Sequence, residues 1–383
     1  MYVTRRAALR SIALASMGVV GAVALGCSPS GTPAAATAPA QPVSAAGSAW
    51  DTLLTAARAE GKVVVSGPPD PGANTKVPEA FKAFSGIDME YLAGNSSQLA
   101  SRIQSERAAG QYTIDVSLSG ADTVYGTFLA NKWLDPLKPA LVLPEVTDGH
   151  LYRSGEPWFR DPEKRMVMQI FNTATPSLLA INTQLVSPDE FKDSSSLLDP
   201  RWQGKICAYN PGVNGAGIAV ASAIYVTRGK DYATQLFVGQ NVALSRDYQQ
   251  VADWVAHGSY PIGIGVTHQY LQEYYAAGIP LKEMNVADIP QTVGGGFGLV
   301  NLWSNAPHPN AARVFANWIG SKEGISVYGR LDNGVPVRND VDPAWAPADE
   351  VPQTGVTYFD TYDPDYVLSK RQEARDFFAS ILH

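Results

Sequence analysis

The chain has 383 residues, with 29 lysines and arginines against 36 aspartates and glutamates, and a formal charge of −7. That length leaves room for two domains with buried cores, and the acidic balance argues against a general nucleic-acid binder, which needs a basic face. Cys27 and Cys207 are the only cysteines and the five histidines are scattered, so a disulfide framework, a cysteine-rich zinc site and an HExxH motif are all excluded.

Residues 1–26 read as an export signal. Arg5, Arg6 and Arg10 give a basic start, and residues 11–25 are apolar and uncharged. That run is shorter than the roughly 20 residues needed to span a bilayer. Ala24-Leu25-Gly26-Cys27 resembles the bacterial lipoprotein box, with Cys27 as the lipidated residue, and the paired arginines resemble a twin-arginine signal. The segment 27–48 is rich in Ala, Pro, Ser, Gly and Thr, and it reads as a linker.

The body then alternates. Trp50, Leu53, Leu54 and Ala57 have helical spacing, and Gly61 stops that helix. A strand is predicted over 62–66, a helix around Phe81 and Phe84, and a strand over 89–92. A helix follows from Asn95 to Ala109, then a strand over 114–118 and a helix over 124–129. After residue 170 the alternation restarts. Strands are predicted over 178–182, 205–209 and 260–265, with helices over 217–227, 249–256 and 268–277. An extended segment over 298–302 leads to helices over 310–319, 322–330 and 369–382.

This order predicts an α/β protein of two lobes, each a mostly parallel sheet flanked by helices. Extended segments near 175–182 and 296–302 are the expected hinge strands. The expected division is 49–175 plus 300–383 for the first lobe and 176–299 for the second. Ligands favour the crevice between such units, outside the carboxyl ends of strands.

Three blocks carry a family resemblance: Leu198-Asp199-Pro200-Arg201-Trp202-Gln203-Gly204-Lys205, His308-Pro309-Asn310-Ala311-Ala312 running on to Glu323-Gly324, and Gly334-Val335-Pro336-Val337-Arg338. In order and spacing they resemble bacterial solute-binding proteins of the ferric-ion-binding branch, the type II periplasmic receptors of ABC importers. The resemblance covers roughly 60–340. It implies hinge closure on a small solute, delivery to an ABC permease, and a lipid anchor as the only membrane contact. It implies no catalysis and no cofactor, and a monomer is expected.

The branch's iron ligands do not carry over. Its two adjacent tyrosines fall where this chain reads Thr267-His268-Gln269-Tyr270, so Tyr270 is the one weak metal candidate. Its carboxylate falls at Ser119-Gly120 and its histidine at Ser66-Gly67. The Tyr274-Tyr275 pair lies a turn later and reads as packing or surface.

In place of those ligands, loops at predicted strand ends offer hydroxyls, amides and glycines. The candidate ligand-binding residues are Ser66, Gly67, Ser96, Ser97, Ser119, Gly120, Asn214, Gly215, Thr267, His268 and Tyr270. Free N–H groups at helix starts hold carboxylate or phosphate without a cationic side chain, although Ser, Asn and Gly also serve as ordinary helix caps. The expected cargo is therefore a small anionic solute, a carboxylate or phosphate ester, with ferric iron or an iron chelate as the alternative. An exported enzyme is the alternative from another class. It lacks support because Gly215-Ala216-Gly217 has no third glycine of a dinucleotide fingerprint, and Gly294-Gly295-Gly296-Phe297-Gly298 has no P-loop lysine. Tyr152 and Trp158 are candidate apolar walls of the cleft.

Overall fold

The computed structural model describes residues 45–382 apart from Pro71, Pro176, Ser177, Thr267 and Thr357. The signal segment 1–26 and the lipidation residue Cys27 lie outside the described residues. The first helix, Ala45–Glu60, already begins inside the segment 27–48 read as linker.

Strands β1 (Lys62–Gly67), β2 (Asp88–Ala93) and β3 (Val116–Ser119) pair in parallel, with β1 central. The helices Ala73–Ser85 and Ser96–Ala108 make the returns between them. Strands β4 (Leu134–Asp135), β5 (Val167–Gln169) and β6 (Thr173–Thr175) follow. The second half carries β7 (Leu179–Asn182), β8 (Ile206–Tyr209), β9 (Ala243–Ser245), β10 (Ile262–Ile264) and β11 (Leu281–Met284). Strands β12 (Thr292–Gly294), β13 (Leu299–Trp303) and β14 (Phe359–Asp360) complete the set.

Two main sheets result, in the orders β2-β1-β3-β13-β4, with β5 also on β13, and β11-β7-β10-β8-β9. The parallel expectation holds for β1 with β2 and β3, and for β8 with β9 and β10. The strands next to the crossings, β13 and β7, run antiparallel to their neighbours β3 and β10, because they enter each sheet from the opposite side. The crossing itself is a small sheet, β14-β12-β6. In it β12 lies antiparallel to β6 and parallel to β14, a third strand that sequence reading did not anticipate; β6 and β12 precede the segments near 175–182 and 296–302 expected as hinges, most of which are the main-sheet strands β7 and β13.

Each main sheet has its own apolar core. The first gathers Val63, Val65, Phe81, Val116, Phe315 and Trp318, with Phe81 edge-on to Trp318 at 5.4 Å. The second gathers Ile181, Ile206, Ile224, Leu236 and Ile262. The C-terminal helix Gln372–Ile381 packs Ala374 and Phe378 into this second core. That corrects the assignment of all of 300–383 to the first lobe: an amphipathic stripe shows that a helix is buried but not which sheet it covers. Cys207 is fully buried within β8, and burial pushes its thiol up to about 12, which makes it an inert core residue. Among the described residues no helix is long and apolar enough to cross a membrane.

Candidate functional site

A cavity of about 190 Å³ lies where turns from both sheets converge. On the first sheet's side, β3 ends at Ser119, and Gly120 opens the turn that carries Asp122. The Asp122 carboxylate accepts a hydrogen bond from Arg371 Nη2 at 2.6 Å, and Arg371 Nη1 donates to the Thr361 carbonyl at 2.8 Å. Burial raises the Asp122 carboxyl, opposed by Arg371, Arg375 and the Gly215 N–H. Gly215 is the N-cap of the helix Ala216–Thr234, with φ of 141°. A Cβ there would stand 2.6 Å from the Tyr248 hydroxyl, so only glycine fits. The start of that helix therefore already faces a carboxylate supplied by the chain itself.

Three tyrosines of the second sheet's side stack in a row. Tyr209 ends β8, Tyr248 begins the helix Tyr248–Ala256, and Tyr270 closes the turn His268–Tyr270. Ring centroids lie 4.2 Å apart for Tyr209 and Tyr248, and 5.3 Å for Tyr248 and Tyr270, with the planes within 15°. The Tyr270 hydroxyl is buried and makes no hydrogen bond of good geometry; Gln269 is the neighbour that pulls against its ionisation shift. Burial, with Asp332 and Asp70 adding, pushes that hydroxyl up to about 12.

Asp332 lines the cavity from the last turn of the helix Lys322–Asp332. Among the described residues its carboxylate has one hydrogen bond, a long one accepted from the Phe297 N–H at 3.4 Å. Gly296, at φ 53°, lets the chain pass close by, since a Cβ there would lie 2.9 Å from Asp332 Oδ2. Burial raises this carboxyl to about 8, with Asp70 adding and the Phe297 N–H opposing. Among the described residues no cation pairs with it.

A second charged group lines the same cavity. His268 Nδ1 lies 2.5 Å from Glu283 Oε2 and 3.9 Å from Glu350 Oε1. Tyr275 donates to Glu283 at 3.2 Å, and Asn333 Nδ2 donates to Glu350 Oε2 at 2.8 Å. His268, Glu283 and Glu350 each have a donor atom within 4.8 Å of the others, a set that a divalent ion can use. Burial raises Glu350 to about 7, with His268 opposing. His268 itself is raised: burial works against the shift, but Glu283 and Glu350 outweigh it.

Of the residues singled out by sequence, Gly120, Gly215, His268 and Tyr270 line this cavity together. Ser66 does not; it is buried and shares a 2.8 Å hydrogen bond with Ser117. Gly67 packs under Tyr91, whose hydroxyl donates to the Pro68 carbonyl at 3.1 Å. Ser119 is buried in the β3–β13 pairing, and Asn214 accepts from Arg375 Nη1 at 2.8 Å. Ser96 and Ser97 open the helix Ser96–Ala108. The cap of that helix, Asn95, borders a wider cavity of about 1170 Å³ that also meets Asp70, Tyr248 and Tyr270. Thr267 is outside the described residues. Tyr152 and Trp158 lie elsewhere: Tyr152 is a core residue bonded to the Val146 carbonyl at 2.9 Å, and Trp158 sits under Arg160. Tyr274 bonds Asp253, as expected of a residue outside the site.

Sequence reading missed Asp122, Asp332, Glu350, Tyr362 and Arg371, all of which line the cavity. They come from helix ends and from the segment after residue 340, where no strand-end pattern marks them. Tyr248, which also lines the cavity, does carry a signal in its place in a polar loop after Arg246-Asp247.

Residues 66–325 match the family described as bacterial extracellular solute-binding protein. Among curated proteins, none matches this chain. The fold is similar to that of iron-bound HitA from Pseudomonas aeruginosa, at 18% identity and TM-score 0.62, covering 84% of this chain and 99% of that one. It is also similar to AfuA from Actinobacillus pleuropneumoniae with exogenous fructose-6-phosphate bound, at 15% identity and TM-score 0.68, covering 84% and 98%. A third likeness is to Trichodesmium IdiA (FutA) in complex with iron and citrate ligands, at 18% identity and TM-score 0.60, covering 84% and 99%.

Proposed function

Since the chain belongs to the family of bacterial extracellular solute-binding proteins, which bind small solutes and work with the permeases of ABC importers, we propose that it captures one small organic solute in the cavity between its two sheets. The observation that carries this reading is the convergence of Gly120 from the first sheet with Gly215, His268 and Tyr270 from the second around one cavity. A solute held from both sides stabilises the closed arrangement over the open one, and β6 and β12 are the segments that flex. The permease then meets the closed form. No bond of the solute is broken.

The family places the protein in the periplasm or at the cell surface. Lipidation at Cys27, after export through the twin-arginine route, is the anchoring we propose, with the segment after Cys27 as tether. The protein acts as a monomer in this reading.

The anionic cargo expected from the strand-end loops has indirect support, because two similar structures are named with fructose-6-phosphate and with iron and citrate. In this chain the Gly215 N–H faces Asp122, so an anion at that helix start has to displace an internal carboxylate. Direct ferric binding has Tyr270 and the His268–Glu283–Glu350 group as its available donors. Equilibrium titration of ligand-stripped protein tests the proposal: saturable binding at one solute per chain, with no turnover, is expected. Turnover of the solute would transfer the protein to the enzymes.

A further inference from the structure

The charges around the cavity do not cancel one another. Arg371 is matched by Asp122 at 2.6 Å, and His268 by Glu283 at 2.5 Å. Glu350 shares that same His268 at 3.9 Å and is held by Asn333 at 2.8 Å, whereas Asp332 has neither. It lines the cavity with a single 3.4 Å hydrogen bond, from the Phe297 N–H, and among the described residues no lysine, arginine or histidine answers it. Asp332 is half-buried, and a partly desolvated carboxylate with no counter-charge gains more from an arriving cation than an exposed one does. The carboxylate nearest in effect is Asp70, which borders the wider cavity and worsens the imbalance.

The walls fit the same partner. Tyr270, Tyr362 and Phe297 line the cavity beside Asp332, and Tyr270 is the end of the tyrosine stack. Aromatic faces attract cations, the more strongly where water is excluded. Carboxylate and ring face together form a recurring receptor for organic ammonium groups.

Resting on the capture reading above, we infer that the cargo carries a cationic nitrogen and that Asp332 receives it. Such a solute pairs with the Asp332 carboxylate and sits against the tyrosine faces. An anionic group elsewhere on the same molecule is compatible with this arrangement. A solute with no basic nitrogen is not.

The shift of Asp332 agrees. Without ligand, burial keeps the carboxyl protonated to about pH 8, and a bound cation favours its ionised form. The groups facing it are Asp70, Tyr91, Tyr270, Tyr328 and Tyr362, all neutral or negative, while the His268–Glu283–Glu350 group lies on the same cavity.

The test is to incubate ligand-stripped protein with a polar metabolite extract from bacterial cells, wash it, and identify the retained molecule by mass spectrometry. Its affinity is then measured for the unaltered protein, Asp332→Asn and Gly120→Trp. Gly120 has φ of −90°, and a Cβ there would meet the Tyr362 hydroxyl at 3.5 Å and the Gly296 carbonyl at 3.8 Å, both ordinary contacts on the cavity wall, so a bulky side chain is directed into the cavity. The inference expects a molecule with a basic nitrogen, affinity lowered at least tenfold by Asp332→Asn, and binding abolished by Gly120→Trp. A nitrogen-free solute, or a cation bound equally by Asp332→Asn, overturns the inference while capture stands. Binding that survives Gly120→Trp overturns capture itself. If Asp332→Asn does not fold, Asp332→Ser takes its place: the same tenfold loss of affinity for the nitrogenous solute is expected, and equal affinity contradicts the inference.

Discussion

Arg371 grips Asp122 at 2.6 Å across 249 positions of sequence, tying the last helical segment of the chain to the turn after β3. Both side chains are almost withdrawn from water. Arg371→Ala leaves a buried carboxylate without its partner, a change that costs about 3 kcal/mol or more. Asp122→Asn keeps the shape and costs less. Chemical denaturation of the two variants checks the order.

Asp115 is a second internal tie. Fully buried, it accepts from the Val64 N–H at 2.7 Å, from the His308 N–H at 2.7 Å, and from His308 Nδ1 at 2.9 Å. It thus joins β1 to the start of the helix Pro309–Gly320. Asp115→Ala strands two backbone donors and is expected to cost on the order of 3 kcal/mol, with solute affinity little changed in the fraction that remains folded. Urea titration together with calorimetry on the variant measures both.

Stability depends on pH through the cavity. Asp332 and Glu350 have folded values raised to about 8 and about 7, so the folded state holds protons that the unfolded state releases. Their stabilising effect is complete below the ordinary carboxylate range and is lost as pH rises through those raised values. His268, also raised, stabilises below its ordinary value and loses that contribution as pH rises through its folded value. All three act in the same direction. The melting temperature of the solute-free protein is expected to fall by about 5 °C between pH 5 and pH 8. The double change Asp332→Asn, Glu350→Gln flattens that slope.

Tyr270→Phe removes a buried hydroxyl that has no well-formed hydrogen bond. Stability is expected to hold or rise by up to about 1 kcal/mol. The ring face and the stack on Tyr248 remain, so binding of an organic solute survives. A protein that purifies coloured with iron and bleaches on this change would instead restore the metal reading.

Much of the fold was legible because strand and helix periods differ. Val63-Val64-Val65 and Ile262-Gly263-Ile264 are strands as read, and the Pro309 block is a helix as read. Gly120, Gly215, His268 and Tyr270 were read as candidates because glycines and polar residues at strand ends mark turns, and the four line one cavity. The rest was hidden for physical reasons. Asp332 and Glu350 look like ordinary surface acids in sequence, since only tertiary packing decides that they face a cavity. Arg371 sits among charged neighbours on an amphipathic helix, and nothing local names Asp122 as its partner. The sheet that the C-terminal helix covers depends on where β14 leads the chain, and β14 is two residues long.

The most direct measurement is a titration of ligand-stripped protein with the solute it retains, followed by recovery and weighing of that solute in a mass spectrometer. One equivalent bound per chain, returned with its mass unchanged and excluded by Gly120→Trp, is the predicted result. A solute returned with altered mass, or bound as well when the cavity is filled, would contradict a protein that closes on its cargo and lets it go intact.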